Sequence, residues 1–131
     1  MIVVDTSALM AILLGEPQAD ACMDLLEATK TLIISTGTMA EALIVADRRG
    51  VGAEMRRLLD GLGFESETVS PAGAGRIADA YGRWGKGIHP AGLNFGDCFA
   101  YSLAQQYDVP LLFVGEDFTH TDVRSALSSI S

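Results

Sequence analysis

Three short apolar runs, Ile2-Val3-Val4, Leu32-Ile33-Ile34 and Leu111-Leu112-Phe113-Val114, are separated by much longer stretches of helical character. A strand without polar side chains has no face to offer water, so both of its faces must be covered. The β-branched residues of the first run suit such a pleated, buried surface. Strands of this kind alternating with helices predict an α/β fold, a three-layer sandwich with a mostly parallel central sheet flanked by helices.

The intervening segments carry the expected punctuation. Asp5-Thr6-Ser7 supplies capping chemistry for a helix through Ala8 to Leu14, stopped at Gly15. Pro17 suits the first position of a second helix reaching about Ala28. Thr38 is expected to cap a helix carrying Leu43, Ile44 and Val45 and ending near Gly50, and a further amphipathic helix covers about Gly52 to Leu59. Glu67-Thr68-Val69 is a weaker strand candidate suited to a sheet edge. Ser70-Pro71 opens a helix to Tyr81 or Gly82, residues 84 to 93 read as a loop by their Gly and Pro content, and Asn94 can cap a helix to about Tyr107. With 49% hydrophobic residues in 131 and no repeat or linker, residues 1–131 read as a single domain with a well-filled core.

Charge narrows the function classes. Nine Lys and Arg against 17 Asp and Glu leave a formal charge of −8, the wrong sign for a surface that grips nucleic acid through phosphates. It fits a basic partner, or a site in which carboxylates hold cations. Cys22 and Cys98 show no C-x-x-C spacing and are expected to be buried thiols in a reducing cytoplasm. The N-terminus lacks a basic leader, Asp5 interrupts its apolar run, and no stretch is long and apolar enough to span a bilayer. The expected setting is cytoplasmic, without a membrane.

In open parallel sheets, sites form beyond the carboxyl ends of the strands. Asp5 follows the first strand, and Asp117 follows the last beyond the turn Gly115-Glu116. Glu41 lies early in the helix after the second strand, and Asp97 in the first turn of the helix before the last. Each has a local explanation. Thr38-Met39-Ala40-Glu41 matches a capping box, Asn94-Phe95-Gly96-Asp97 has similar spacing, Asp5 can be an N-cap and Asp117 a turn residue. Jointly, Asp5 and Asp117 follow strands that a parallel sheet places side by side or nearly so, whereas Asp97 is harder to place. Convergence of the four would raise their pKa values unless a divalent cation relieved the repulsion. Oxygen-only ligands suit Mg²⁺ or Mn²⁺ better than Zn²⁺.

These residues sit inside segments that resemble the PIN-domain ribonucleases, and within them the VapC-type toxins of bacterial toxin–antitoxin pairs. The matching segments are residues 1–8, Met39-Ala40-Glu41, Arg48-Arg49-Gly50, residues 84–101, and Phe113 through Asp117 to Thr121-Asp122. The resemblance implies a PIN-like sandwich and a Mg²⁺- or Mn²⁺-dependent endoribonuclease acting on single-stranded or looped RNA, commonly tRNA or rRNA. It also implies a homodimer and a cognate VapB-type antitoxin whose C-terminal segment wraps over the site. By position, Asp5, Glu41, Asp97 and Asp117 match the acidic metal-binding quartet, Ser7 an auxiliary hydroxyl and Asp122 an auxiliary carboxylate. Two departures each remove a cation that could touch phosphate: Ile88 stands where the family's loop has Arg, and Val114 where its last strand often has Lys. RNA contact then rests on Arg83, Lys86 and His89, with Trp84 either stacking on a base or packed in the core.

The chemistry agrees with that implication. Phosphodiester hydrolysis needs an activated water and neutralisation of transition-state charge, both supplied by ions that carboxylates hold. Two rivals are weaker. A non-catalytic binding or regulatory module of the same fold would be expected to lose an acid, and the quartet is complete. An aspartyl-phosphate phosphatase or receiver-like domain needs a second Asp at position 7, which is Ser7, or a lysine near a later strand end, and the lysines are Lys30 and Lys86. Gly73 to Ala78 matches a dinucleotide fingerprint without the preceding strand, and Gly85-Lys86-Gly87 lacks the rest of a P-loop.

Overall fold

The computed structural model describes residues 1–127. In strand β1 (Ile2–Val4), alternate side chains enter two different cores. Ile2 and Val4 pack with Leu32, Ile34 and Leu112 on one side of the sheet, and Val3 packs with Ile33, Leu111 and Phe113 on the other. The first core is closed by α1 (Thr6–Leu14), α2 (Ala19–Ala28), α3 (Thr36–Arg48) and α4 (Gly52–Gly61). The second is closed by α5 (Pro71–Trp84) and α6 (Phe95–Tyr107). Each fully buried Leu, Ile or Val contributes roughly 1.5–3 kcal/mol, so short strands suffice when both faces are covered.

The sheet has four strands in the order β3-β2-β1-β4, with β2 at Leu32–Ser35, β3 at Glu65–Glu67 and β4 at Leu111–Leu112. Every pairing is parallel, in the registers Ile2 with Leu32, Val3 with Leu111 and Ile33 with Glu65. This is the three-layer α/β sandwich expected. Among the described residues, no helix is long and apolar enough to cross a membrane. Cys22 and Cys98 are buried free thiols.

Several boundaries differ for identifiable reasons. Helix α3 starts earlier than Thr38, because Ser35 takes the cap by accepting the Gly37 N–H at 3.1 Å. Thr38 is then fully buried inside the helix. Pro17 lies in the turn before α2, whose N-cap is Gln18. The edge strand β3 falls two residues before the predicted segment, leaving Val69 40% exposed beyond it. Helix α5 runs on to Trp84, which buries its ring and donates its Nε1–H to Tyr101 Oη at 2.8 Å. Trp84 is therefore a core residue, unavailable for stacking on a base. β4 is shorter than its apolar run, and a return segment lies beside it, bonded between Leu111 N and Arg124 O and between Ala126 N and Leu111 O.

Candidate active site

The strand order locates the site before any side chain is considered. The chain moves outward from β1 through β2 to β3, then returns to add β4 on the other side of β1. Such a reversal opens a crevice at the carboxyl ends of the two strands flanking it. Helices packed on a parallel sheet run against the strands, so helices α1 and α3, which follow strands, and α6, which leads into one, all begin at this rim. That antiparallel course brings in Asp97, the acid hardest to place from sequence.

Asp5 is the N-cap of α1 and only 3% exposed. Its Oδ2 accepts the Ser7 N–H at 3.0 Å and the Ser7 Oγ–H at 2.7 Å. Ser7 Oγ in turn accepts the Val114 N–H at 3.0 Å, tying the ends of β1 and β4 together through the carboxylate. Asp5 Oδ1 is buried with no hydrogen-bond partner. An uncompensated buried carboxylate oxygen is costly, and burial, with Glu41 nearby, pushes the Asp5 carboxyl up to about 6 against the pull of the Ser7 bonds.

Glu41 lies in the second turn of α3 and does not close the capping box that Thr38 suggested. Its Oε1 instead accepts the Thr6 Oγ1–H at 2.7 Å. Thr6 was missed from sequence because a hydroxyl beside a cap residue reads as part of the cap. On its other side, Glu41 rests against Gly96, where a Cβ would stand 1.8 Å from Oε2. The glycine between Phe95 and Asp97 is what lets Glu41 lie against the start of α6.

Asp97 does close its capping box: Asn94 Oδ1 accepts the Asp97 N–H at 2.8 Å, and Asp97 Oδ2 accepts the Asn94 N–H at 3.0 Å. It is also buried, and that burial together with the charges of Asp5, Asp117 and Glu41 pushes its carboxyl up to about 7. Capping and a place at the rim are thus the same geometry. Asp117 is exposed in the turn after β4 and completes the group.

The four carboxylates share one rim without closing into a finished ligand shell. Among the described residues, no three Asp, Glu, His or Cys side chains are close enough together to hold an ion as they stand. The gathering is looser than a closed ligand shell. The residues nevertheless fit a hard dication: the partnerless Asp5 Oδ1, the Glu41 carboxylate in the cradle above Gly96, and an all-oxygen donor set suit Mg²⁺ or Mn²⁺.

Of the two auxiliary positions, Ser7 sits beside Asp5 and Asp122 lies along α6. Ser7 spends its proton on Asp5 and so orients that carboxylate. Asp122, expected beside the quartet, accepts from Tyr101 Oη and Gln105 Nε2 and pairs with Arg83 at 3.6 Å, because the return segment carries it along α6 away from Asp97. His89 braces its loop, accepting the Ala91 N–H on Nδ1 with its ring set edge-to-face on Trp84 at 4.7 Å between centroids, and so is not presented to RNA as a donor from Nδ1. Arg83 lies over the Trp84 ring at 4.6 Å with its side chain 64% exposed, and Lys86 is exposed.

A family model described as PIN domain matches residues 2–124. The chain belongs to the PIN-domain family. This PIN domain is 41% identical over 128 residues to ribonuclease VapC42 of Mycobacterium tuberculosis, covering 95% of this chain and 98% of that protein. Its fold matches Mycobacterium tuberculosis VapC20, described as a sarcin-ricin loop cleaving toxin, with a TM-score of 0.72 at 17% identity over 95% and 99% of the two chains. It also matches a chain of a toxin–antitoxin complex from Klebsiella pneumoniae, with a TM-score of 0.71 at 19% identity over 97% and 98%.

Proposed function

We propose that this PIN domain is a metal-dependent endoribonuclease of the VapC type, a toxin held in check by a cognate antitoxin. One observation carries the reading: Asp97, buried at the start of α6, lies in the field of Asp5, Glu41 and Asp117 at a crevice where Asp5 keeps a buried, partnerless oxygen. The naming of close relatives as ribonucleases supports the same conclusion. In this reading Asp5, Glu41, Asp97 and Asp117 hold Mg²⁺ or Mn²⁺. The bound ion would supply an activated water at neutral pH and offset negative charge on the scissile phosphate.

The chain's own residues prepare that chemistry. Ser7 holds Asp5 by one oxygen, leaving the other for the crevice. Thr6 holds Glu41 by Oε1, and the Asn94 N–H holds Asp97 by Oδ2. Helices α1, α3 and α6 start at the rim, and their unsatisfied N–H groups favour negative charge there. Lys86, and Arg83 where it gives up its pairing with Asp122, are the cations that the loop side of α5 would offer to RNA phosphates. Two divalent ions would move the formal charge from −8 to −4, which lowers the long-range repulsion of RNA. The remaining acidic surface suits a basic antitoxin segment.

The test is cleavage of an end-labelled, unstructured RNA by the purified protein. Cutting is expected with Mg²⁺ or Mn²⁺ and not in excess EDTA; equal cutting in both overturns the reading.

A further inference from the structure

We infer that Asp122 masks Arg83: in the RNA-free protein it neutralises a guanidinium otherwise open to an RNA phosphate on the β4 side of the acidic rim. Asp122 thereby sets how tightly, and how salt-dependently, RNA binds; this rests on the nuclease reading above. Arg83 lies on the flank of α5 that faces α6, with Arg76 and Ala80, and not on the flank of Ala74, Ala78 and Tyr81. Its guanidinium is set over the Trp84 ring at 4.6 Å, with the side chain 64% exposed. Trp84 is itself buried and tied to Tyr101 Oη, so the floor under Arg83 is fixed. The guanidinium meets Asp122 Oδ2 at 3.6 Å, an ion pair too long for a hydrogen bond. Among the described residues its N–H donors are otherwise unspent.

The two oxygens of Asp122 are divided. Oδ1 accepts the Tyr101 Oη–H at 2.5 Å and an Nε2–H of Gln105 at 2.9 Å, while Oδ2 faces Arg83. Neutral donors of α6 therefore anchor the carboxylate whether or not Arg83 stays. An exposed pair of this length adds little to a fold, so the charge at position 122 is not needed to hold the return segment. Its place gives it another use. Tyr101 lies one helical turn after Asp97 on the same face of α6, and helical side chains lean back toward the preceding turn. Asp122 comes shortly after Asp117 in the same return segment. Arg83 is thus carried to the edge of the acidic rim, with the exposed Lys86 in the loop that follows it. A planar fork of donors stacked on a ring suits a phosphate, whereas a neutral ion pair attracts RNA weakly. A phosphate can displace so long and exposed a pair at small cost, and in a chain of charge −8 each unmasked cation counts.

Binding of a labelled, unstructured RNA oligonucleotide is read by fluorescence anisotropy in EDTA over a salt series, for wild type, Asp122→Asn, Arg83→Gln and the double variant. Asp122→Asn keeps an oxygen for Tyr101 and Gln105 and turns an amide toward Arg83. It is expected to tighten binding about five-fold at low salt and to steepen the slope of log K against log salt by about 0.7, the single-strand value for one phosphate. Asp122→Ala, which removes the charge without adding an amide, should give the same gain. Arg83→Gln should weaken binding about three-fold, and adding Asp122→Asn to it should recover less than about two-fold. Asp108→Asn, at the far end of α6, removes an equal charge while Arg124 keeps its bond to the Asp108 carbonyl, and should change binding less than about two-fold. A gain at Asp122 no larger than at Asp108, or one that persists without Arg83, is net charge alone and overturns the assignment. So does an unchanged salt slope, or a polyglutamate peptide that gains as much as RNA. Cleavage in Mg²⁺ is scored separately. Cutting without an Arg83-dependent gain removes the mask and leaves the nuclease, and the gain without cutting does the reverse.

Discussion

Asp5 and Glu41 are each held at the rim by one hydroxyl, from neighbouring residues that do opposite things in sequence terms. Ser7 stands where a family hydroxyl is expected, whereas Thr6 has no motif to announce it and is revealed only by its bond to Glu41 across the sheet end. Replacing Asp5 by Asn keeps an acceptor for Ser7 and puts an uncharged amide where the partnerless oxygen lies. Cleavage should fall at least about 100-fold, in the range seen when a precisely placed charge is lost. The melting temperature in EDTA near neutral pH should hold or rise, because a buried charge has been removed. A variant that is both inactive and unfolded would mean that Asp5 is structural. Gly96→Ala tests the opposite wall. Its Cβ meets the far end of a flexible Glu41 side chain, so Glu41 is displaced at little cost to the fold. Activity should drop about ten-fold or more with a stability change below about 1 kcal/mol, read by kinetics and by urea titration of the same sample. Asp97 reads both as a cap and as a site residue; it closes the cap, and its buried carboxyl lies near Asp5, Glu41 and Asp117. Glu41 looked like a cap and is not one, because Ser35, three residues upstream of Thr38, has no rival for the cap at the end of β2.

The elements were legible where apolar runs were unambiguous, as in β1 and β2, and where Asp5, Ser70 and Asn94 cap their helices. They were less so where tertiary packing overrides local preference. The burial of Trp84 against Tyr101 extends α5 past the predicted stop at Tyr81 or Gly82, a contact between residues 17 apart that no local pattern encodes. Edge strand β3 shows no apolar alternation because helices cover little of it, so its placement follows from pairing with β2. The crossing of α3 and α6 depends on Gly37, which nothing in the sequence marks as special. Gly37→Ala drives a Cβ into the Phe99 ring, and overpacking of this kind costs about 1–3 kcal/mol. Thermal or urea unfolding should show that loss, with a gain of up to about 1 kcal/mol for Ala at Gly75, a helical position where a Cβ meets nothing. Equal losses at the two positions would show that the crossing is not tightly packed.

At the scale of the whole molecule, the fold gathers electrostatic cost at one end of the sheet, and in the proposed reading a cation would release it. The order β3-β2-β1-β4 sets β1 and β4, which lead to Asp5 and Asp117, side by side, and the antiparallel run of α6 brings Asp97 within the influence of both carboxylates. The folded, ion-free protein therefore holds protons, with carboxyls raised to about 6 at Asp5 and about 7 at Asp97, that the unfolded chain gives up near the ordinary value of 3.8. Between roughly pH 4 and pH 7 the native state binds more protons than the unfolded state, so stability falls as pH rises through that window and is lowest above it. Both carboxyls belong to one coupled group, so the loss is shared and amounts to a few kcal/mol in total. If a dication takes the place of those protons and binds only the folded arrangement, its stabilisation grows over the same window. In EDTA the melting temperature should fall from about pH 5 to about pH 8, while the gap between excess Mg²⁺ and EDTA widens. Asp5→Asn should flatten both trends. A Mg²⁺ gap that does not change with pH would mean that the ion binds somewhere other than this rim, and that the charges gathered there serve no cation.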